Sequence, residues 1–183
     1  MNIPVFYLIL RKITTLVVRF SVVYEVIKDV AYASGSILLN RLNCPISKEM
    51  YRHSFYGRGR RYSSKSLNEK IRDDLQFRQE ILNKLDGLSS IIDPITVTIN
   101  KWKDRDLAYS IGQINFIITG RRIGDIWSLT IKASDLYDFT EWRVLSGGFT
   151  LGDFANDFGH ILSDFGMINK YRYYVDFQLT LTI

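Results

Sequence analysis

Residues 171–183 read Tyr171-Arg172-Tyr173-Tyr174-Val175-Asp176-Phe177-Gln178-Leu179-Thr180-Leu181-Thr182-Ile183. From Tyr173 onward the apolar positions 173, 175, 177, 179, 181 and 183 alternate with Tyr174, Asp176, Gln178, Thr180 and Thr182. A period of two puts alternate side chains on opposite faces of a strand, so this run predicts a strand with one buried face. Working back along the chain, the same period appears after Asp93-Pro94, where Ile95, Val97 and Ile99 alternate with Thr96 and Thr98. Two further strands are expected over residues 107–119 and 126–133, joined by a turn at Gly120-Arg121-Arg122-Ile123-Gly124. In the second of them, Trp127, Leu129, Ile131 and Ala133 would share one face.

Helical spacing occupies the intervals between these runs. Ser66-Leu67-Asn68-Glu69 has the form of a capping box, in which hydroxyl and carboxylate satisfy unpaired amides at a helix start. Leu67, Ile71, Leu75, Leu82 and Leu85 continue one face toward Gly87, a plausible stop. Thr150-Leu151-Gly152-Asp153 opens a second helix with the stripe Phe154, Phe158, Ile161, Leu162 and Phe165, ending at Gly166. The fold class expected is α+β: an antiparallel sheet packed against two helices, with an N-terminal amphipathic helical segment. The division expected is a basic, hydrophobic segment over residues 1–50 and an α+β domain over 51–183. A chain of 183 residues, 46% hydrophobic and 23% charged, can bury a core of its own and is not disordered in composition.

The N-terminal segment differs from the rest. Residues 1–65 hold eleven Lys/Arg against three Asp/Glu, a net of +8, whereas residues 66–183 hold thirteen against sixteen, a net of −3. The basic character therefore belongs to the first third, which suits an anionic membrane, a partner or a nucleic acid through electrostatic attraction. Arg11, Lys12 and Arg19 interrupt the apolar stretches, and each central cation costs about 2.5–3.5 kcal/mol on the insertion scale, which disfavours a membrane span. Ile13, Leu16, Val17, Phe20, Tyr24 and Ile27 recur at helical steps, opposite Lys12, Thr15 and Arg19. Either an interfacial helix or a helix docked on the domain fits that pattern. Glu25, Lys28 and Asp29 argue against a cleaved signal peptide ending near Ala31-Tyr32-Ala33.

Between Tyr51 and Lys65, five cations alternate with His53, Phe55, Tyr56 and Tyr62, around Gly57-Arg58-Gly59. Arginine with aromatics can hold phosphate or stack on bases, and it can equally be a solvated linker. One cysteine, Cys44, excludes an internal disulfide, and with two distant histidines it cannot build the usual structural zinc site. No phosphate-binding loop and no serine elbow is present.

The richest cluster of reactive groups is Asp135-Leu136-Tyr137-Asp138-Phe139-Thr140-Glu141-Trp142-Arg143, placed after an expected strand. Asp135, Asp138 and Glu141 can offer carboxylate oxygens to Mg2+ or act as a general base, and Arg143 can clamp a phosphate. The competing reading is a turn in which the acids cap amides and the aromatics fill the core. On the second helix, Asp153, Asp157, His160 and Asp164 fall along one edge, as a solvated face or as an acid/base face.

Asp135-Leu136-Tyr137-Asp138 resembles the Asp-x-Tyr-Asp core of colicin M-like bacteriocins, which cleave a lipid-linked peptidoglycan precursor. That family continues to a His-Arg pair after a spacer, where this chain has Trp142-Arg143 at a shorter spacing. More broadly, Phe55-Tyr56-Gly57-Arg58-Gly59, the Asp135–Phe139 run and the final helix and strand resemble C-terminal toxin domains of bacterial polymorphic toxins. The resemblance implies a toxin at the cell envelope, a Mg-dependent phosphoester hydrolase with Asp135, Tyr137, Asp138, Arg143 and His160 as catalytic groups. His160 would stand in for the missing histidine if the fold brings it near Asp138. Expected partners are a membrane surface or lipid-linked substrate and an immunity protein, with the protein membrane-associated or secreted to the target periplasm. The alternatives are a noncatalytic membrane- or partner-binding protein and a toxin acting on RNA. The net negative charge after residue 65 argues against nucleic acid unless the cations cluster.

Overall fold

The computed structural model describes residues 3–138, 162–164 and 166–182, with side chains from residue 21 onward. A 39-residue helix, α1 (Ile3–Arg41), is followed by α2 (Pro45–Tyr56), β1 (Tyr62–Ser63), α3 (Lys65–Asp73) and α4 (Leu75–Leu85). Then come β2 (Ile95–Ile99), α5 (Arg105–Ser110), β3 (Ile114–Ile123), β4 (Ile126–Tyr137) and β5 (Tyr171–Thr182). The strands form one five-stranded sheet in the order β1-β5-β4-β3-β2, antiparallel except for the short parallel pair β1/β5. This is an α+β fold.

The alternation read in residues 171–183 governs burial. Tyr171, Tyr173, Val175, Leu179 and Leu181 are buried, and their neighbours across β4, Trp127, Leu129, Ile131 and Ala133, are buried with them. Val97, Ile99, Ile114, Phe116 and Ile118 extend this face across β2 and β3. Ile46 and Met50 of α2, Leu67 and Ile71 of α3, Phe77, Ile81 and Leu85 of α4, and Leu107 of α5 close over it. Each large side chain so covered contributes about 1.5–3 kcal/mol of transfer free energy. The opposite face of the sheet carries Thr98, Ile117, Lys132 and Asp176, all exposed.

Three expectations need correction. Residues 105–110 form α5 rather than the start of a strand, because the Asp104 carboxylate accepts from Leu107 N at 2.9 Å and caps a helical turn. Strand geometry begins only at Ile114, where alternation begins. Second, Gly120 lies inside β3, not in a turn: a Cβ there would collide with the Ser128 carbonyl oxygen and Leu129. The hairpin closes over two residues, with Gly124 at φ +61°, a first central position that tight hairpins fill with glycine. Third, the helix expected over residues 66–85 is two helices. Ser64, not Ser66, accepts from Leu67 N, while Asp74 accepts from Phe77 N at 2.8 Å and restarts the helix after an extended residue.

A second apolar cluster joins α1 to α2 through Ala31, Leu39, Cys44, Tyr51 and Phe55, together with Leu162 and Ile168. Tyr24 Oη donates to Gly166 O at 2.6 Å, and Tyr51 Oη donates to Ala31 O at 3.2 Å. The other side of α1 is apolar and open: Val22, Val23, Val26, Ile27, Val30 and Ile37 are each about half exposed. Ile27, expected on the apolar stripe, belongs to this open side. Among the described residues no helix is long and apolar enough to cross a membrane. The division placed after residue 50 falls inside α2. The helix expected from Thr150 lies outside the described residues except for Leu162–Asp164, which are helical, with Gly166 at φ +67° closing the turn after them.

Candidate functional site

The Asp135–Asp138 segment is built at the end of β4. The strand, expected to stop near Ala133, continues to Tyr137, because each residue of 134–137 finds a β5 partner: Ser134 with Tyr174, Asp135 with Tyr173, Leu136 with Arg172, Tyr137 with Tyr171. Asp135 and Tyr137 thus share the pleat face of Ile131 and Ala133. Asp135 is exposed, and its Oδ1 accepts from Leu136 N at 2.7 Å. Tyr137 is half-buried, stacked on Tyr171 with ring centroids 4.9 Å apart at 25°. Asp138 follows the strand end, three-quarters buried at its side chain, with Oδ2 4.0 Å from Lys170 Nζ.

Tyr171 organises what surrounds this segment. Its hydroxyl donates to Met50 O at 2.8 Å. The His53 ring meets Tyr171 edge-on at 4.5 Å and lies 5.0 Å from Tyr62. Through Nε2, His53 hydrogen-bonds Arg60 O at 2.8 Å, fastening the turn after α2. Parallel pairing of Tyr62 with Tyr173 aligns β1, β5 and β4 so that Tyr62, Tyr173 and Asp135 form one row across the sheet. The site is therefore a tyrosine-lined sheet end flanked by His53, Lys170 and the acids of the motif.

Burial pushes the hydroxyls of Tyr62, Tyr137, Tyr171 and Tyr173 well above the usual tyrosine range, with neighbouring tyrosines or the carboxylates Glu49 and Asp135 adding smaller upward shifts. These groups are neutral donors at physiological pH, so Tyr137 offers a proton or a hydrogen bond rather than a phenolate. The sign for stability follows directly. A folded-state value above the unfolded one means that the folded chain holds its protons longer, so stability is complete below about pH 10 and is lost as pH rises beyond it. Tyr62, Tyr171 and Tyr173, all nearly inaccessible, should each steepen that loss by up to about 1.4 kcal/mol per pH unit. Melting temperatures between pH 8 and 11 should therefore drop sharply above pH 10, and Tyr171→Phe should flatten the decline; a flat profile would contradict the burial argument.

Of the residues singled out from sequence, Asp135, Tyr137 and Asp138 lie together at the end of β4. Glu141, Arg143 and His160, with Asp153 and Asp157, lie outside the described residues. Among the described residues no group of three or more His, Cys, Asp and Glu is placed to hold a metal ion. Sequence reading missed Lys170, Tyr171 and His53 as neighbours of the motif. The signal for two of them was available in the β5 register, since pairing Ala133 with Val175 necessarily sets Tyr137 against Tyr171.

No protein-family model matches the chain, and no curated protein matches it. Three chains of solved structures do. One is PaeM, a colicin M-like bacteriocin produced by Pseudomonas aeruginosa, at 17% identity and a TM-score of 0.42, covering 75% of this chain and 51% of PaeM. Another is pectocin M2, at 15% identity and a TM-score of 0.41, covering 86% of this chain and 64% of that one. The chain thus spans about half of the first and under two-thirds of the second.

Proposed function

We propose that this chain is a bacterial toxin that acts at the cell envelope by hydrolysing a phosphoester bond in a lipid-linked cell-wall precursor. The observation that carries this reading is the juxtaposition at the end of β4. An acid of the Asp-x-Tyr-Asp segment, Asp138, lies beside Lys170, and the segment's phenol is fixed by stacking on Tyr171. These are the groups that hydrolysis of a phosphoryl centre calls for: a base, a cation and a neutral donor. Asp138 takes a proton from water, the water oxygen bonds to phosphorus, and the bond from phosphorus to the leaving oxygen breaks. Tyr137 donates its hydroxyl hydrogen bond to an oxygen of the phosphoryl group, and Lys170 offsets negative charge developing there. Arg143 and His160 join this assignment as a phosphate clamp and as the acid that protonates the leaving group.

The donor chemistry suits a hard cation in part, since Asp135 and Asp138 supply carboxylate oxygens and Mg2+ is commonly held by one or two carboxylates with substrate phosphates. Bound Mg2+, with Glu141 as a third ligand, would neutralise phosphate charge. Secretion into the target periplasm and an immunity partner belong to the same proposal.

Expression of the wild type directed to the periplasm should arrest growth, and Asp138→Ala should reduce killing by on the order of a hundredfold or more, as for loss of a general base. Circular dichroism of both proteins separates lost chemistry from lost folding. Killing undiminished by the substitution would reject Asp138 as a catalytic residue. A second reading, a noncatalytic membrane- or partner-binding protein, is favoured by the open apolar side of α1 at Val22, Val26, Val30 and Ile37. Growth unaffected from either compartment, with vesicle binding that depends on residues 1–30, would support it.

A further inference from the structure

We infer that the turn after α2 is the anion-binding wall of the site at the end of β4, with Arg58 and Arg60 receiving the phosphoryl group of its ligand. This rests on the proposed phosphoryl chemistry and names the part of the protein that recognises the phosphate. The turn is placed for it. Gly59 packs against the Lys170 carbonyl, where an added Cβ would be 3.6 Å away, and Lys170 Nζ reaches Asp138. His53 ties Arg60 O to the same Tyr171 ring that stacks on Tyr137. Asn169 N donates to Ser54 O at 2.8 Å, joining α2 to the residues that lead into β5.

One observation, charge left unpaired on a turn of fixed shape, points to a ligand rather than to a solvated linker. Arg58 sits at φ +53°, a left-handed conformation that a non-glycine residue holds at a cost of about 1 kcal/mol or more, although glycines stand on both sides of it. Neither glycine can be moved to relieve it, since a Cβ at position 57 would collide with the His53 ring and carbonyl oxygen and Gly59 is itself at φ +68°. The ion pairs among the described residues leave Arg58 and Arg60 uncompensated, both exposed, with Arg61 held over the Tyr174 ring at 5.5 Å. Guanidinium groups bind phosphate oxygens in pairs, a match that a lysine point charge does not give. The cluster is one turn long and is followed by a stretch of net charge −3, which fits a compact phosphoryl anion better than an extended nucleic acid backbone.

Calorimetric titration of the full chain with inorganic pyrophosphate, and sedimentation with phosphatidylcholine vesicles doped with a polyprenyl diphosphate, tests this. Arg58→Gln/Arg60→Gln should weaken binding about tenfold or more, whereas Lys84→Gln/Lys101→Gln, equal in charge but on another part of the surface, should leave it unchanged. Loss in the vesicle arm alone would identify the ligand as the lipid headgroup; loss in both would identify the diphosphate itself. Equal weakening by both double variants, or tighter binding of single-stranded RNA lost with the same arginines, would overturn the assignment. Turnover is read separately. If the wild type binds but hydrolyses nothing, the catalytic proposal fails while the anion wall stands; if it hydrolyses and Arg58→Gln/Arg60→Gln binds normally, the reverse holds.

Discussion

Asp106→Ala should destabilise the protein by about 3–5 kcal/mol, because it removes a buried, hydrogen-bonded charge. The reason lies sixty residues upstream. Helix α2 starts at Pro45 after Cys44, which makes no side-chain cap, so its first amides have no local acceptor. The Asp106 carboxylate, only 2% exposed, takes their place: Oδ2 accepts from Ile46 N at 2.9 Å, Oδ1 from Ser47 N at 2.8 Å and from Ser47 Oγ at 2.7 Å. A helix N-terminus favours negative charge, and Lys70 Nζ stands 3.8 Å from Oδ2 to balance it. Alanine would leave the two buried amides without partners, while the Ser47 hydroxyl keeps the Asp106 backbone carbonyl at 2.9 Å. Asp106→Asn retains an acceptor and should cost less. Urea unfolding of the three proteins checks the order; an alanine variant within 1 kcal/mol of wild type would mean that water replaces the carboxylate.

Tyr171→Ala should cost a similar amount, about 3–5 kcal/mol, and should also disable the site. Tyr171 is 2% exposed, and its ring lies against His53, Tyr62 and Tyr137 at once. Truncation removes the surface on which the motif's phenol stacks and on which His53 braces the turn. Tyr171→Phe keeps that surface and loses only the bond to Met50 O, so it should cost about 1 kcal/mol and keep most activity. The separation between the two variants is the informative quantity. Similar losses in both would assign the role to the hydroxyl rather than to the ring.

The sheet was legible wherever one face is buried and the other wet, because that asymmetry writes itself as alternation: Ile95–Ile99, Trp127–Ala133 and Tyr173–Leu181 are all where the period places them. Residues 105–110 were not legible in this way. Their local signal was the Asp104 cap on Leu107 N, which the apolar pattern does not display, and the contact of Asp106 with the start of α2 lies sixty residues away in the chain. Gly120 misled for a related reason, since its lack of a side chain answers to Ser128 across the strand pair rather than to a change of direction. Of the site, the acids and phenol were visible as residue types in series. Their neighbours were not, because Lys170 and Tyr171 arrive only through the β4/β5 register, and His53 only through the packing of α2 on β5.

The order β1-β5-β4-β3-β2 places β5 between two strands that precede it in the chain. As the chain leaves the ribosome, β2, β3 and β4 can pair with one another, but one edge of β4 stays unsatisfied and β1 has no neighbour at all. Everything that surrounds Asp138, from Tyr171 to the turn after α2, is drawn in by that insertion. A cell synthesising this protein therefore holds, until β5 has emerged, a chain whose site has not yet come into being, and the onset of any activity is timed by folding rather than by the appearance of the motif.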